Sequence, residues 1–142
     1  MLTIAVLLLA ANISYADDKK SEASDGSSSR EVSVEQVSRG GALFQKYCAR
    51  CHGSDAQGAH NWTKRDADGK YGAPPLNGTG HTWHHAKPAL VRTIKQGTLK
   101  IGGSMPPWQD KLSDEQIEDL LGYIISLWPD EVYQIWRKQF GH

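Results

Sequence analysis

A chain of 142 residues is long enough for one domain with extensions. Its 16 basic and 16 acidic residues cancel, which excludes a global field drawing in nucleic acid or an anionic membrane surface. Fourteen glycines, six prolines and a hydrophobic fraction of 39% describe a small, loop-rich protein. The five tryptophans either fill a small core or wall a large, flat cofactor.

The first stretch, MLTIAVLLLAANISYADD, is dominated by apolar residues and carries no charge before Asp17. Ser14 and Ala16 put small residues where a signal peptidase reads. The apolar run is shorter than the roughly 20 residues that a bilayer-spanning helix needs. Residues 1–16 are therefore expected to be a secretory signal peptide, although only Met1 precedes the apolar run; an N-terminal strand or buried helix is the alternative. Export implies a periplasmic or secreted bacterial protein with no stable membrane insertion. The following segment, 17–30, is built from Ser, Asp, Lys, Glu and Gly. It has nothing to bury and reads as a flexible linker, so the folded domain is placed at 31–142.

Residues 34–46 set Val34, Val37, Leu43 and Phe44 at roughly helical spacing, with Gly40 and Gly41 in the middle. Glycine there costs about 1 kcal/mol against alanine unless another helix comes close. Residues 53–87 form a long stretch rich in Gly, Asn, Asp and Pro. Coil of that length is unusual inside a compact domain and becomes reasonable when it wraps something that is not protein. Residues 88–96 read as a short helix, with Pro88 at the start and Gly97 just past the end. The clearest element is LSDEQIEDLLGYIISLWP. Ser113 and Gln116 make a capping box, and Leu112 and Ile117 are placed for a hydrophobic staple. Ile117, Leu120, Leu121, Ile124 and Trp128 then recur at helical spacing until Pro129. A short C-terminal helical extension from about 130 sets Val132, Ile135 and Trp136 on one face. No strand-like alternation is present, so the fold class is all-α.

The chemistry concentrates in CARCHG, which holds both cysteines of the chain, Cys48 and Cys51, followed by His52. A redox Cys-x-x-Cys pair belongs in a βαβ setting, which is absent. A structural zinc would need two more ligands, and His81, His84 and His85 lie far beyond finger spacing. A disulfide between Cys48 and Cys51 would close a tiny loop, stabilise little and leave His52 without a role. The remaining reading is covalent haem c: two thiols add across the vinyl groups and the adjacent histidine ligates the iron. The partner axial position is expected to fall to Met105, the only thioether left after removal of Met1. Met105 sits in GGSMPPWQD, and the alternative for a lone methionine is adaptable core packing. Trp83 and Trp108 are candidate haem-pocket side chains, and Trp83 has an N–H suited to a propionate.

These residues resemble the class I, mono-haem c-type cytochromes, over roughly residues 32–129. The resemblance rests on CARCH, on Gly40 and Phe44 before it, on the APPLNG stretch and on the SMPPW loop. It implies the cytochrome c fold, with the N- and C-terminal helices crossing and loops wrapping one haem. Gly40 and Phe44 should then meet Leu120 and Tyr123, and the carbonyl of Pro74 (or Pro75) should accept the Nδ1 proton of His52. The resemblance implies no role for His81, His84 or His85; weighed on their own, one of them replacing Met105 as a ligand is the alternative to capping a loop or bonding a propionate.

Histidine and methionine on opposite faces leave the iron no open site and favour outer-sphere electron transfer. No catalytic constellation stands elsewhere in the chain. The expected function is a monomeric, periplasmic one-electron carrier, not an enzyme, in transient contact with a redox donor and an acceptor protein and with no nucleic-acid partner. The alternatives are a haem enzyme or gas or redox sensor with a labile sixth ligand, and an electron-transfer partner subunit of a dehydrogenase or oxidase.

Overall fold

The computed structural model describes residues 30–141; the expected signal segment 1–16 and almost all of the linker 17–30 lie outside the described residues. Five α-helices follow in order: α1 (Val34–Tyr47), α2 (Ala49–His52), α3 (Lys87–Gln96), α4 (Asp114–Ser126) and α5 (Asp130–Phe140). Short 3-10 turns stand at Thr82–His84 and Leu99–Ile101. Strand-like pairing among the described residues is limited to a single bridge between Arg65 and Tyr71. The protein is all-α.

Local chemistry sets the helix ends. The Ser33 hydroxyl accepts the N–H of Gln36 at 3.1 Å and starts α1. At α4, Ser113 Oγ accepts the N–H of Gln116 at 3.2 Å while Gln116 Oε1 accepts the N–H of Ser113 at 3.0 Å. Both orphan donors are satisfied reciprocally, and the flanking Leu112 and Ile117 are buried in the core. Pro88 sits in the first turn of α3, and Gly97, at φ 66°, closes it.

The core lies where α1 crosses α4. A Cβ built on Gly40 would stand 2.0 Å from the carbonyl oxygen of Asp119 and 2.8 Å from Tyr123 Cβ. The two backbones touch there, and only glycine leaves room. Phe44, one turn on, is fully buried, with its ring 5.3 Å from that of Tyr123. Tyr123 therefore occupies the place that the resemblance implies. Leu120 belongs to the same core, while the nearest atoms to Gly40 are those of Asp119. Arg39 clamps the crossing from outside: Nε and Nη2 donate to the two carboxylate oxygens of Asp119 at 2.6 and 2.7 Å. Gln36 adds a bond from Nε2 to the Glu118 carbonyl at 3.2 Å.

Two expected core positions are exposed. Val34 is 81% accessible because it is the first residue of α1, ahead of the region that meets α4. Ile135 is 51% accessible. The inward stripe of α5 runs instead through Val132, Tyr133, Trp136 and Phe140, and Ile135 lies one position, about 100°, off it.

Two tryptophans, Trp128 in the α4–α5 junction and Trp136 on α5, fasten this end of the domain to the irregular chain between α2 and α3. Trp128 Nε1 donates to the Leu76 carbonyl and Trp136 Nε1 to the His85 carbonyl, each at 2.9 Å. Their rings meet edge-on at 5.4 Å. Arg30, at the start of the described chain, donates to the carbonyls of Ile125 and Trp128 and to Asp130. Its guanidinium lies 5.0 Å from the centre of the Tyr133 ring. It thereby caps the C-terminal carbonyls of α4 and ties the domain's beginning to its end.

Gly40→Ala is expected to destabilise the folded protein by about 1–3 kcal/mol, because the added methyl must push the helices apart. Guanidinium unfolding followed by far-ultraviolet circular dichroism measures it. An unchanged midpoint would show that the crossing is looser than described.

Candidate functional site

Helix α1 delivers its last turn almost directly into the CARCH motif. The N–H of Cys48 still donates to the Phe44 carbonyl, at 2.8 Å. One further turn, α2, is closed by bonds from the N–H groups of Cys51 and His52 to the Cys48 carbonyl, each 3.0 Å. Residues three and four apart share one side of a helical turn, so Cys48, Cys51 and His52 are gathered into a single short element. Cys51 is exposed and Cys48 buried, and the two are not joined as a disulfide. Burial, with a smaller contribution from Cys51, pushes the Cys48 thiol up to about 11.

His52 is buried, and its Nδ1 lies 2.8 Å from the carbonyl oxygen of Pro74. A carbonyl only accepts, so Nδ1 carries the proton. Burial holds the imidazole pKa below its ordinary value, with the Pro74 bond acting in the opposite sense. The ring is therefore neutral at neutral pH, with its lone pair on Nε2. A backbone partner on one nitrogen and a free lone pair on the other is the arrangement that orients a metal-ligating histidine and makes it a stronger donor. Of the two prolines considered, Pro74 holds the ring; the Pro75 carbonyl faces Thr82 Oγ1 at 3.4 Å.

Sequence reasoning missed the residue that brings Pro74 to His52. Gly58 donates its N–H to the His52 carbonyl at 2.7 Å. It also packs so closely on the proline pair that a Cβ there would stand 2.5 Å from the nitrogen of Pro75. Its φ is 78°, a conformation natural to glycine. Ala56 is also fully buried, and its carbonyl accepts the N–H of Leu76 at 2.8 Å.

Met105 is half-buried and packs on the same core that includes Cys48, as do Trp83 and Trp108. Its N–H donates to Thr98 Oγ1 at 3.1 Å. The Trp108 ring stands edge-on to Tyr47, 5.5 Å between centres, beside the cysteine motif. Trp83 lies against the ring of His84 at 3.9 Å. His81, His84 and His85 remain exposed; His81 is stacked with Trp62 at 5.5 Å. Among the described residues no three of His, Cys, Asp and Glu gather into a set able to hold a metal ion. A group that brings its own equatorial ligands, and asks the protein only for two thiols and axial donors, fits this donor set. The half-buried apolar side chains of Leu76, Trp83, Val91, Met105 and Trp108 suit the flat apolar body of such a group.

Comparison with known proteins agrees with this chemistry. A family profile described as cytochrome C oxidase, cbb3-type, subunit III matches residues 35–124. The chain belongs to that family. It is a c-type cytochrome domain; its cofactor is covalent haem c with its iron, and its chemistry is electron transfer. The cbb3-type cytochrome c oxidase subunit CcoP of Azospirillum sp. (strain B510) is 36% identical over 92 residues, covering 65% of this chain and 29% of the relative. Subunit FixP of Sinorhizobium medicae (strain WSM419) is 32% identical over 97 residues, 64% of this chain and 30% of the relative. A thiosulfate dehydrogenase of Allochromatium vinosum is 33% identical over 92 residues, 61% of this chain and 30% of the relative. The chain thus spans about three-tenths of the length of these curated relatives. No solved structure matches it. Helix α5 lies beyond the matched segment.

Gly58→Ala is expected to lower stability by about 1–3 kcal/mol through overpacking against Pro74–Pro75. Gly69, at φ 75° with nothing within 4 Å of a Cβ placed on it, supplies the control for backbone strain alone. Denaturant midpoints should fall further for Gly58→Ala than for Gly69→Ala; equal shifts would refute the close approach.

Proposed function

We propose that this chain is an exported one-electron carrier whose haem is bonded through Cys48 and Cys51, with His52 and Met105 as the axial donors. The observation that carries the reading is the Nδ1–H bond from His52 to the Pro74 carbonyl, at 2.8 Å, in the same turn as the two cysteines. It leaves Nε2 as the nitrogen for iron. When bound, haem c supplies the one-electron couple, and histidine with methionine raises its potential and favours outer-sphere transfer. The residues of the chain attach, orient and shelter. Cys48 and Cys51 would attach the haem, the Pro74 carbonyl fixes the plane of the His52 ring, and Met105 would supply the second axial donor.

The partners are a redox donor and an acceptor that meet the chain in brief encounters, with the chain acting as a monomer in the periplasm. No helix among the described residues is long and apolar enough to cross a membrane. The relatives favour a second form of the same chemistry. Two are named as oxidase subunits and one as a dehydrogenase, so this domain serves as well in electron delivery to or from such a complex. A haem enzyme or sensor with a labile sixth ligand is the competing class, and Met105 separates the two.

Matured protein run on a denaturing gel should keep haem-peroxidase staining, and Cys51→Ala should lose most of it. In an optical redox titration, Met105→His should lower the potential while the spectrum stays six-coordinate and low-spin, because nitrogen is a harder donor than thioether sulfur. Met105→Ala should open the iron to carbon monoxide. Native protein that already binds carbon monoxide rapidly, and lacks the weak far-red band of thioether-ligated ferric iron, would overturn the carrier reading.

A further inference from the structure

The loop that presents Met105 has only the single 3-10 turn Leu99–Ile101 to stiffen it, yet its backbone is closely held. Thr98, just past the end of α3, makes paired bonds to Met105. The Thr98 N–H donates to the Met105 carbonyl at 2.9 Å, and the Met105 N–H donates to Thr98 Oγ1 at 3.1 Å. The Thr98 carbonyl in turn accepts the N–H groups of Ile101 and Gly103, at 3.0 and 2.9 Å. The loop folds so tightly over the Thr98 side chain that a Cβ on Gly103 would stand 2.2 Å from its hydroxyl oxygen. Beyond Met105, the Trp108 N–H donates to the carbonyls of Ile94 and Lys95, at 3.1 and 3.2 Å. The far end of the loop is thereby returned to α3. One side chain, that of Thr98, therefore bonds to the backbone of Met105 itself.

The geometry points to Thr98 as the positioning residue for the Met105 thioether: its hydroxyl fixes the backbone from which the sulfur reaches the iron. This rests on the proposed ligation by Met105. A thioether is a weak, uncharged donor, so the lifetime of its bond to iron depends on how far the loop can swing when the bond opens. Removing the hydroxyl leaves the half-buried Met105 N–H without its partner and lowers the free energy of local opening. Valine keeps the shape of threonine and the backbone bond from residue 98 to the Met105 carbonyl. Thr98→Val thus removes the clamp with little change in packing. Serine restores the oxygen.

The test uses the haem-loaded protein and three readouts: the far-red thioether band of the ferric form, the rate of cyanide binding, and the thermal midpoint. Native protein should show the band and bind cyanide slowly. Thr98→Val should bind cyanide about tenfold faster, matching the loss of one hydrogen bond, and should lose the band at a lower temperature than that of global unfolding. Thr98→Ser should return both properties towards native. A Thr98→Val protein with the native band and cyanide rate overturns the inference, as does one in which only the global midpoint falls and serine restores nothing. Thr98→Ala, which lacks the hydroxyl in a smaller side chain, gives the same discrimination should the valine form not accumulate. A native protein without the band is a different result: it removes Met105 from the iron and the carrier reading with it.

Discussion

Where Gly40 lies against the Asp119 carbonyl, the backbones of α1 and α4 approach to a distance that no side chain permits. The rest of the molecule depends on that approach. Helix α1 continues through Tyr47 into the cysteine turn with an unbroken hydrogen bond from Cys48 to Phe44, so its angle against α4 also sets the position of Cys48 and His52. The Arg39–Asp119 fork does not create this crossing. Asp119 is 7% exposed and Arg39 56%, and a half-exposed ion pair contributes modestly. Its value is directional: two parallel bonds resist sliding and rotation of one helix on the other.

With the helices fixed, the irregular chain between α2 and α3 has to be held by means other than secondary structure. Backbone bonds close it in steps, from Gly58 to His52, Ala59 to Ala73 and Leu76 to Ala56. The indole N–H groups of Trp128 and Trp136 then take the Leu76 and His85 carbonyls. Buried backbone carbonyls need partners, and here the helical part supplies them from its C-terminal end. The chain's abundance of tryptophan is thereby partly explained. Two of the five, Trp128 and Trp136, fill the core and at the same time bind the loop to the helices through their N–H groups.

What could be read from the sequence divides along the same line. The capping box at Ser113, the stop at Gly97, the spacing of Cys48, Cys51 and His52 and the all-α class are local: each depends on a few neighbouring residues, and each was legible. The glycine of the crossing was legible as an anomaly, since mid-helix glycine needs a reason, and the resemblance supplied Tyr123. Gly58, Thr98 and Tyr133 were not legible. Their importance comes from what the chain brings beside them from tens of residues away, and glycine, threonine and tyrosine are ordinary in loops and short helices. Ile135 failed for a subtler reason. On an isolated eleven-residue helix several apolar stripes fit the period, and the choice between them is made by distant partners: Trp128 against Trp136, and Arg30 over the Tyr133 ring.

The two sides of the proposed ligand pair are built to different stiffness. His52 is held on a helical turn, its ring bonded to the Pro74 carbonyl, and that proline segment is tied through Leu76 to the indole of the fully enclosed Trp128. Every link in that chain ends in the core. Met105 is held by Thr98 and by the return of Trp108 to α3, but the turn between them projects outward, with Ile101 82% exposed. Its neighbour Ser104 reaches the Tyr71 carbonyl only at 3.4 Å, the weak end of hydrogen bonding. Local opening follows the path of fewest buried contacts, so the methionine side is expected to open before the histidine side. The distinction between a carrier and a ligand-binding haem protein is therefore not made at the cysteine motif, which both would share. On the proposed ligation by Met105, it is made in the loop, by how firmly a few backbone bonds keep a weak donor in place.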